Sequence, residues 1–407
     1  MHWCRGVGGG RFGIHMVFLI SVLLGLAMGS GTVFSLHYGA GNHVALRRSI
    51  FSSFVLIGIV TLILNVAVFI WLDPILRLLQ VPQDIYGMMR SYLWIIFCGI
   101  VFTFIYNFYA SLLRAVGDSV TPLWFLAVSV VLNIALDLFF ILQLDWGIQG
   151  AAAATVFAQG VAALGIIIYT YRRRPELRWH HEDMCFDRTC LKEIASFSTL
   201  TCIQQSVMNL GILMVQGLVN SFGTAVMAAF AAAVKIDSFA YMPVQDFGNA
   251  FSTFIAQNFG AGQMKRIRDG IRVAVVSATI FCVFISLLVF GFARPLMLIF
   301  VPVHETEIIS IGVQYLRIEG AFYCGIGCLF LLYGFYRGIR KPGMSVVLTV
   351  ISLGTRVALA YALSAIPAIG VVGIWWSIPI GWLLADIVGL WYYRRLFSRV
   401  TRSSIGK

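Results

Sequence analysis

The sequence predicts an all-α polytopic membrane protein built from two parallel helical repeats, and three observations carry that prediction. Of its 407 residues, 60% are hydrophobic and only 11% charged, whereas a water-soluble domain carries roughly 45–50% apolar and about 25% charged residues. The apolar residues gather into about eleven runs, each near the roughly 20 residues that a bilayer core requires. The second half of the chain repeats the first. The composition excludes a soluble enzyme, a secreted scaffold and a disordered chain. The net charge of +12 does not require nucleic acid, because a membrane protein collects such an excess in its cytoplasmic loops.

In chain order the predicted spans fall near 13–37, 49–72, 91–113, 120–142, 147–171, 194–220, 225–257, 271–298, 309–336, 344–365 and 370–394. The runs at 51–72 and 123–142 are too long and too apolar for any other assignment. The period-2 alternation of a membrane β-barrel is absent. Ahead of the first span stand Gly8, Gly9, Gly10 and Arg11. No small-residue cleavage pattern accompanies them, so this start is expected to be retained, not removed as a signal.

Lysine and arginine give the orientation. Twenty-one of them fall in one set of alternate connections: around Arg47, Arg114, 172–192, 265–272, 337–341 and the C-terminal 394–407. Five lie in the other set: Arg5, Arg11, Arg77, Arg90 and Arg294. The richer side is therefore expected to be cytoplasmic, with the C-terminus inside and the N-terminus outside, in the cell membrane.

The eight cysteines point to little chemistry. Most sit in apolar helices, where a free thiol behaves as a small hydrophobe. Cys185 and Cys190 follow His180 and His181 in the long basic connection, a loose zinc-like spacing. A solvated linker is the expected reading there, without metal. Cytoplasmic placement also argues against disulfides.

The repeat is read from spaced identities. Gly39-Ala40-Gly41 recurs as Gly260-Ala261-Gly262, and Val81-Pro82 as Val301-Pro302. Beyond them the separation holds at 223 residues: Tyr92-Leu93 with Tyr315-Leu316, Arg114 with Arg337, Ala135-Leu136 with Ala358-Leu359, Gly147 with Gly370. Parallel repeats are related by an axis along the membrane normal. The expected organisation is an N-terminal lobe of five spans over 1–171, a basic linker over 172–193, a C-terminal lobe of six spans over 194–398, and a tail over 399–407. Nothing before the span at 13–37 corresponds to the first helix of the second lobe.

Several motifs lie on this repeat in order. They are Arg114-Ala-Val-Gly117-Asp118 followed by Pro122; Asn133 and Asp137; and Gly147-x2-Gly150-Ala151-Ala152-x-Ala154-Thr155-x3-Gln159. The second half adds Ala256-Gln257-Asn258-x-Gly260-Ala261-Gly262 and Gly373-Ile-Trp375-Trp376-Ser-Ile-Pro379. Together they resemble the multidrug and toxic compound extrusion (MATE) family over roughly residues 20–398. The resemblance implies a twelve-helix secondary antiporter whose two lobes form a V-shaped cleft, and which exports organic cations against a proton or sodium gradient. It places ion-coupling chemistry at Asn133, Asp137 and Thr155. The family's first helix has no counterpart in this sequence, so a truncated, inactive remnant is one alternative.

The residues themselves support a site. An ionisable group at membrane depth is costly and functional by default, and Asp137, Lys235, Asp237, Asp246, Arg317, Glu319, Arg356 and Asp386 are the candidates. Asn133 precedes Asp137 by one helical turn, and Thr155 precedes Gln159 likewise, so each pair shares a face. A carboxylate with amide and hydroxyl neighbours holds a proton or coordinates sodium. At the 223-residue separation, Asp137 becomes Ala360 and Asn133 becomes Arg356, so ion coupling is expected in the first lobe alone.

For the substrate, Lys235, Asp237, Asp246 and Arg356 are the second-lobe candidates, with Asp246 either a contact for a cation or a structural partner of Lys235 or Arg356. Pro243 is expected to kink that helix. Arg317 and Glu319 are expected to snorkel at a helix end, and Asp386 to be structural. Aromatic residues, 14% of the chain, attract organic cations and planar drugs. A lipid-linked oligosaccharide flippase is the alternative transporter. No enzyme motif and no ATP-binding loop appears, and no cofactor beyond the coupling H+ or Na+ is expected. The partners are then drug-like small molecules and the lipid bilayer, with the chain a monomer.

Overall fold

Inside a bilayer no water satisfies backbone N–H and C=O groups, so spanning segments close their hydrogen bonds internally, and this chain does so with helices. The computed structural model describes residues 8–78, 83–184 and 187–405, without the side chains of 8–20, 75, 78, 84 and 397–405. Fourteen helices are found among the described residues: α1 (Gly8–Gly39), α2 (His43–Leu78), α3 (Gln83–Cys98), α4 (Ile100–Ala115), α5 (Val120–Leu142), α6 (Gly147–Arg173), α7 (Arg188–Asn220), α8 (Thr224–Gly260), α9 (Met264–Gly291), α10 (Ala293–Leu298), α11 (Thr306–Gly320), α12 (Tyr323–Gly338), α13 (Pro342–Ser364) and α14 (Val371–Ile405). Nine are long and apolar enough to cross a membrane, and the count reaches eleven when each of two bent pairs is taken as one span.

The bent pairs break two of the expected spans without changing their number. The run at 91–113 begins earlier, at Gln83, and divides into α3 and α4 with a 40° bend; the run at 309–336 divides into α11 and α12 with a 51° bend. Apolarity continues through the first bend, and the two charges before the second, Arg317 and Glu319, are too few to interrupt its run, which is why a reading of apolar runs does not register either. α6 crowds the first bend: a methyl group on Gly99 would sit 2.6 Å from Val156 Cγ2. The run at 271–298 likewise divides at Phe292 into α9 and α10. α8, by contrast, continues through Pro243 as one helix.

The chain forms two compact units, 1–203 and 204–407, with the division inside α7. In the first unit, small residues let α1 and the start of α7 approach closely. A methyl group on Gly29 would lie 2.5 Å from the Cα of Ser198, and the Ser30 and Ser198 hydroxyls are 2.9 Å apart. Such close approach suits helices in lipid, where packing replaces the hydrophobic driving force. Phe34, Phe54, Phe104 and Phe108 fill the core beside them.

In the second unit the tight crossing is α8 on α12. A side chain on Gly248 would meet the Phe330 carbonyl oxygen at 2.8 Å, and one on Gly334 would collide with the Gly248 carbonyl. The core above it is aromatic: Trp375 stacks on Phe230 at 5.5 Å and meets Tyr315 edge-on at 4.9 Å.

Candidate functional site

In the first unit, α5 and α6 pack against each other and α4 packs against α6. Asn133 and Asp137 lie on α5, Thr155 and Gln159 on α6. The Asn133 amide Nδ2 donates to the Thr155 hydroxyl at 3.3 Å, and that hydroxyl donates to the Ala151 carbonyl at 3.0 Å. Gln159 Oε1 instead accepts from the Thr103 hydroxyl of α4 at 2.6 Å. Asn107, one turn along α4, donates from Nδ2 to the Thr103 carbonyl at 2.8 Å. Asp137 is half-buried, and its Oδ1 is shielded from solvent with no hydrogen-bond partner.

The structure therefore joins Asn133 to Thr155 and ties Gln159 to α4. Thr103 and Asn107 extend the polar group beyond the sequence-predicted set. Their signal was legible as two polar residues four apart in the apolar first half of α4. A buried carboxylate oxygen without a donor is costly, and binding a proton or a hard cation removes the cost.

The second-unit residues do not form one site. Lys235 is exposed, its ammonium 5.9 Å from the Phe300 ring centre, and Asp246 is exposed as well. Asp237 turns inward, where its Oδ1 accepts the Tyr323 hydroxyl at 2.7 Å. Arg356 interacts electrostatically with Asp237, and its Nε is buried without a partner.

Glu319 departs from its expected snorkelling. It is 3% exposed, interacts with Asp237 and Arg356, and its carboxyl is hydrogen-bonded by the Tyr315 hydroxyl. Its place at the end of α11, before the bend, puts it inside the unit instead of at a lipid-facing end. Asp386 on α14 is also buried and is hydrogen-bonded by Cys328.

The connection from α6 to α7 was expected to be a solvated linker, and it is docked. It forms two short 3₁₀ turns, Pro175–Leu177 and His181–Asp183. Leu177 is buried and Trp179 packs on Phe51, Phe54 and Tyr171. Asp183, 4% exposed, binds Arg47 Nε at 2.7 Å and accepts the His180 backbone N–H at 3.0 Å. Burial alone would push the Asp183 carboxyl up. The His180 N–H and the Arg47 guanidinium outweigh it and hold it below the usual carboxylate value. Of the zinc-like set, Cys185 lies outside the described residues, and Cys190 Sγ sits 3.1 Å from the Ser49 hydroxyl.

Comparison with known proteins supplies the family. The MatE family model matches residues 7–139 and 200–362. The probable multidrug resistance protein YpnP of Bacillus subtilis is 30% identical over 385 residues, covering 92% of this chain and 83% of that protein. A second probable multidrug resistance protein of the same organism, YoeA, is 27% identical over 396 residues, covering 94% of this chain and 84% of the relative. Among solved structures, a MATE protein in the bent conformation superposes with a TM-score of 0.91 at 21% identity, covering 98% of this chain and 90% of that one. A match over most of both units, and a relative of this identity along nearly the whole chain, identify a multi-pass membrane transporter: the chain belongs to the MatE family.

Proposed function

We propose that the chain is a secondary active antiporter that exports cationic amphipathic compounds in exchange for protons or sodium ions, coupled through Asp137. One observation carries the reading: Asp137 Oδ1 is buried and unpartnered on α5, a spanning helix with no other ionisable residue, one turn from the Asn133–Thr155 pair. The relatives named as multidrug resistance proteins support export of drug-like molecules. Ion and substrate are exchanged because each favours a different state of the transporter, and a ligand moves that equilibrium only by its differential affinity. The C-terminus is cytoplasmic in this reading, the membrane is the cell membrane, and the chain works as a monomer. A flippase for lipid pyrophosphates fits less well, since Arg356 already faces Asp237 and Glu319.

The test is efflux of an organic cation from vesicles under imposed pH or sodium gradients. Asp137→Asn is expected to lower gradient-driven efflux by about tenfold, the scale of a typical coupling free energy. Undiminished efflux in that variant would remove Asp137 from the mechanism.

A further inference from the structure

We infer that the second unit binds an anionic phospholipid, one acyl chain lying in a cavity beside α12 and the headgroup phosphate held by Arg268 and Arg394. α9 and α14 each pack on α12, and a cavity of about 200 Å³ lies among them and α8. Its walls include Phe251 of α8, Val275 and Ala278 of α9, Leu331 of α12 and Leu390 of α14. The acid Asp386 does not line it.

The cavity opens toward lipid. Val275 and Leu390 are themselves exposed, and the residues around them are exposed and apolar: Val276, Ile280 and Val283 on α9, Ile387 and Trp391 on α14. An apolar surface of this extent on spanning helices meets acyl chains. A slot between two such faces is filled from the bilayer.

Charge at one end of the slot selects the lipid. Arg268 stands nearly one turn before Ile271, which lines the cavity, and Arg394 stands one turn after Leu390, so each shares a cavity face. Tyr393 also lines the cavity and interacts electrostatically with Arg268, which brings that guanidinium to its end. Both arginines are exposed, and among the described residues neither forms an ion pair, even with Asp269 beside them. Lys265, Arg266 and Arg272, all exposed, add positive charge there.

Guanidinium groups hold phosphate oxygens through paired hydrogen bonds, and basic pockets between spanning helices hold anionic headgroups. A cationic amphipath fits the apolar slot but is repelled at its end, so an exported cation is the wrong occupant. This inference depends neither on Asp137 nor on the export reading.

The experiment reconstitutes the full chain in phosphatidylcholine vesicles with a trace of photoactivatable phosphatidylglycerol or photoactivatable phosphatidylcholine. The reactive group sits midway along the acyl chain, and labelled peptides are mapped by mass spectrometry. Relative to the exposed face of α5 at Val128 and Val131, the α12 wall is expected to be labelled about 25-fold more by phosphatidylglycerol. That is about fivefold for each arginine at a membrane surface, so Arg268→Gln and Arg394→Gln should each lower the preference about fivefold. Val275→Trp, which fills the opening from an exposed position, should remove labelling of the α12 wall by either lipid. Equal preference at the cavity and on α5 overturns the site, as does an unchanged preference in both arginine variants. Stronger labelling of the same wall by a photoactivatable organic cation overturns the choice of an anionic lipid. Should Val275→Trp fail to fold, the two exposed arginines decide.

Discussion

The α3–α4 bend at Gly99 and the α11–α12 bend at Phe322 stand 223 residues apart, the separation at which the two halves of the sequence repeat. They are the same backbone device with different chemistry. Tyr92 and Tyr315 correspond, but Ile96 stands where Glu319 does, and Ile100 where Tyr323 does. The first bend is apolar, and its unit keeps its polar group on α4, α5 and α6. The second bend is polar, and its unit draws acids to it from α8 and α11. Of the first unit's polar group, Thr103, Asn107, Asn133, Asp137, Thr155 and Gln159, one position is polar in both: Asn133 in the first unit and Arg356 in the second. The comparison teaches that a duplicated helical scaffold fixes where a side chain can reach, while a few substitutions decide which half carries charge and of what sign.

The helix crossings differ in the same manner. At the 223-residue separation Ser111 of α4 corresponds to Gly334 of α12, and each packs on the helix that begins its unit's repeat. Ser111 faces Gly31 of α1, its Cβ 3.4 Å from where a methyl on that glycine would lie; Gly334 faces Gly248 and Ser252 of α8. Serine and glycine have traded sides of one contact. The largest effect that would test this is therefore Gly334→Val, which must push α8 and α12 apart. Overpacking costs about 1–3 kcal/mol, and more where backbone cannot shift, so the monodisperse fraction in detergent should fall sharply. Ser111→Gly, its counterpart, should leave that fraction nearly unchanged. Equal loss in both would end the comparison.

A smaller effect is expected at the docked connection of the first unit. Asp183 has a folded value below its unfolded one, so the stability it contributes is present above the ordinary carboxylate value, about 3.9, and is lost as pH falls through the lower folded value. Asp183→Asn should lower thermal stability at neutral pH by about 2 kcal/mol, the scale of a charge-assisted hydrogen bond, and should flatten the decline below about pH 4. A melting series over pH checks both. Smallest of all should be Thr103→Val, which strips the donor from Gln159 and costs about 1 kcal/mol. Its efflux should stay close to wild type, which separates a residue that positions Gln159 from Asp137 itself.

Much of this was legible in the sequence. Long apolar runs announced the spans because lipid exposure demands unbroken apolarity, and spaced identities announced the repeat. The bends were not legible, since Gly99 sits in an apolar run and the two charges before Phe322, Arg317 and Glu319, leave its run apolar enough to pass as one span. Asn133 and Thr155 were readable as a pair from helical spacing on neighbouring helices. Glu319 was misread because it precedes a break: taken as the end of a span it looks like a residue reaching for water, and only the turn into α12 shows that the chain continues around it. Lys235 and Asp237, two residues apart, point to different surroundings, as their spacing on a helix requires. The docked connection was hidden by its arginines, which suggested solvation, while Leu177, Trp179 and Asp183 are what hold it.

That connection has a practical consequence. Arg174 reaches Asp118 at 3.6 Å, and Arg178 is hydrogen-bonded to the Tyr171 carbonyl. Trypsin, which would be expected to find this arginine-rich stretch before any other, meets Arg174 and Arg178 already held by these acceptors. Slow cleavage here then reports an intact clasp between the α6–α7 connection and α2, and a nick at Arg178 becomes an early sign that the clasp has opened while the helices still stand.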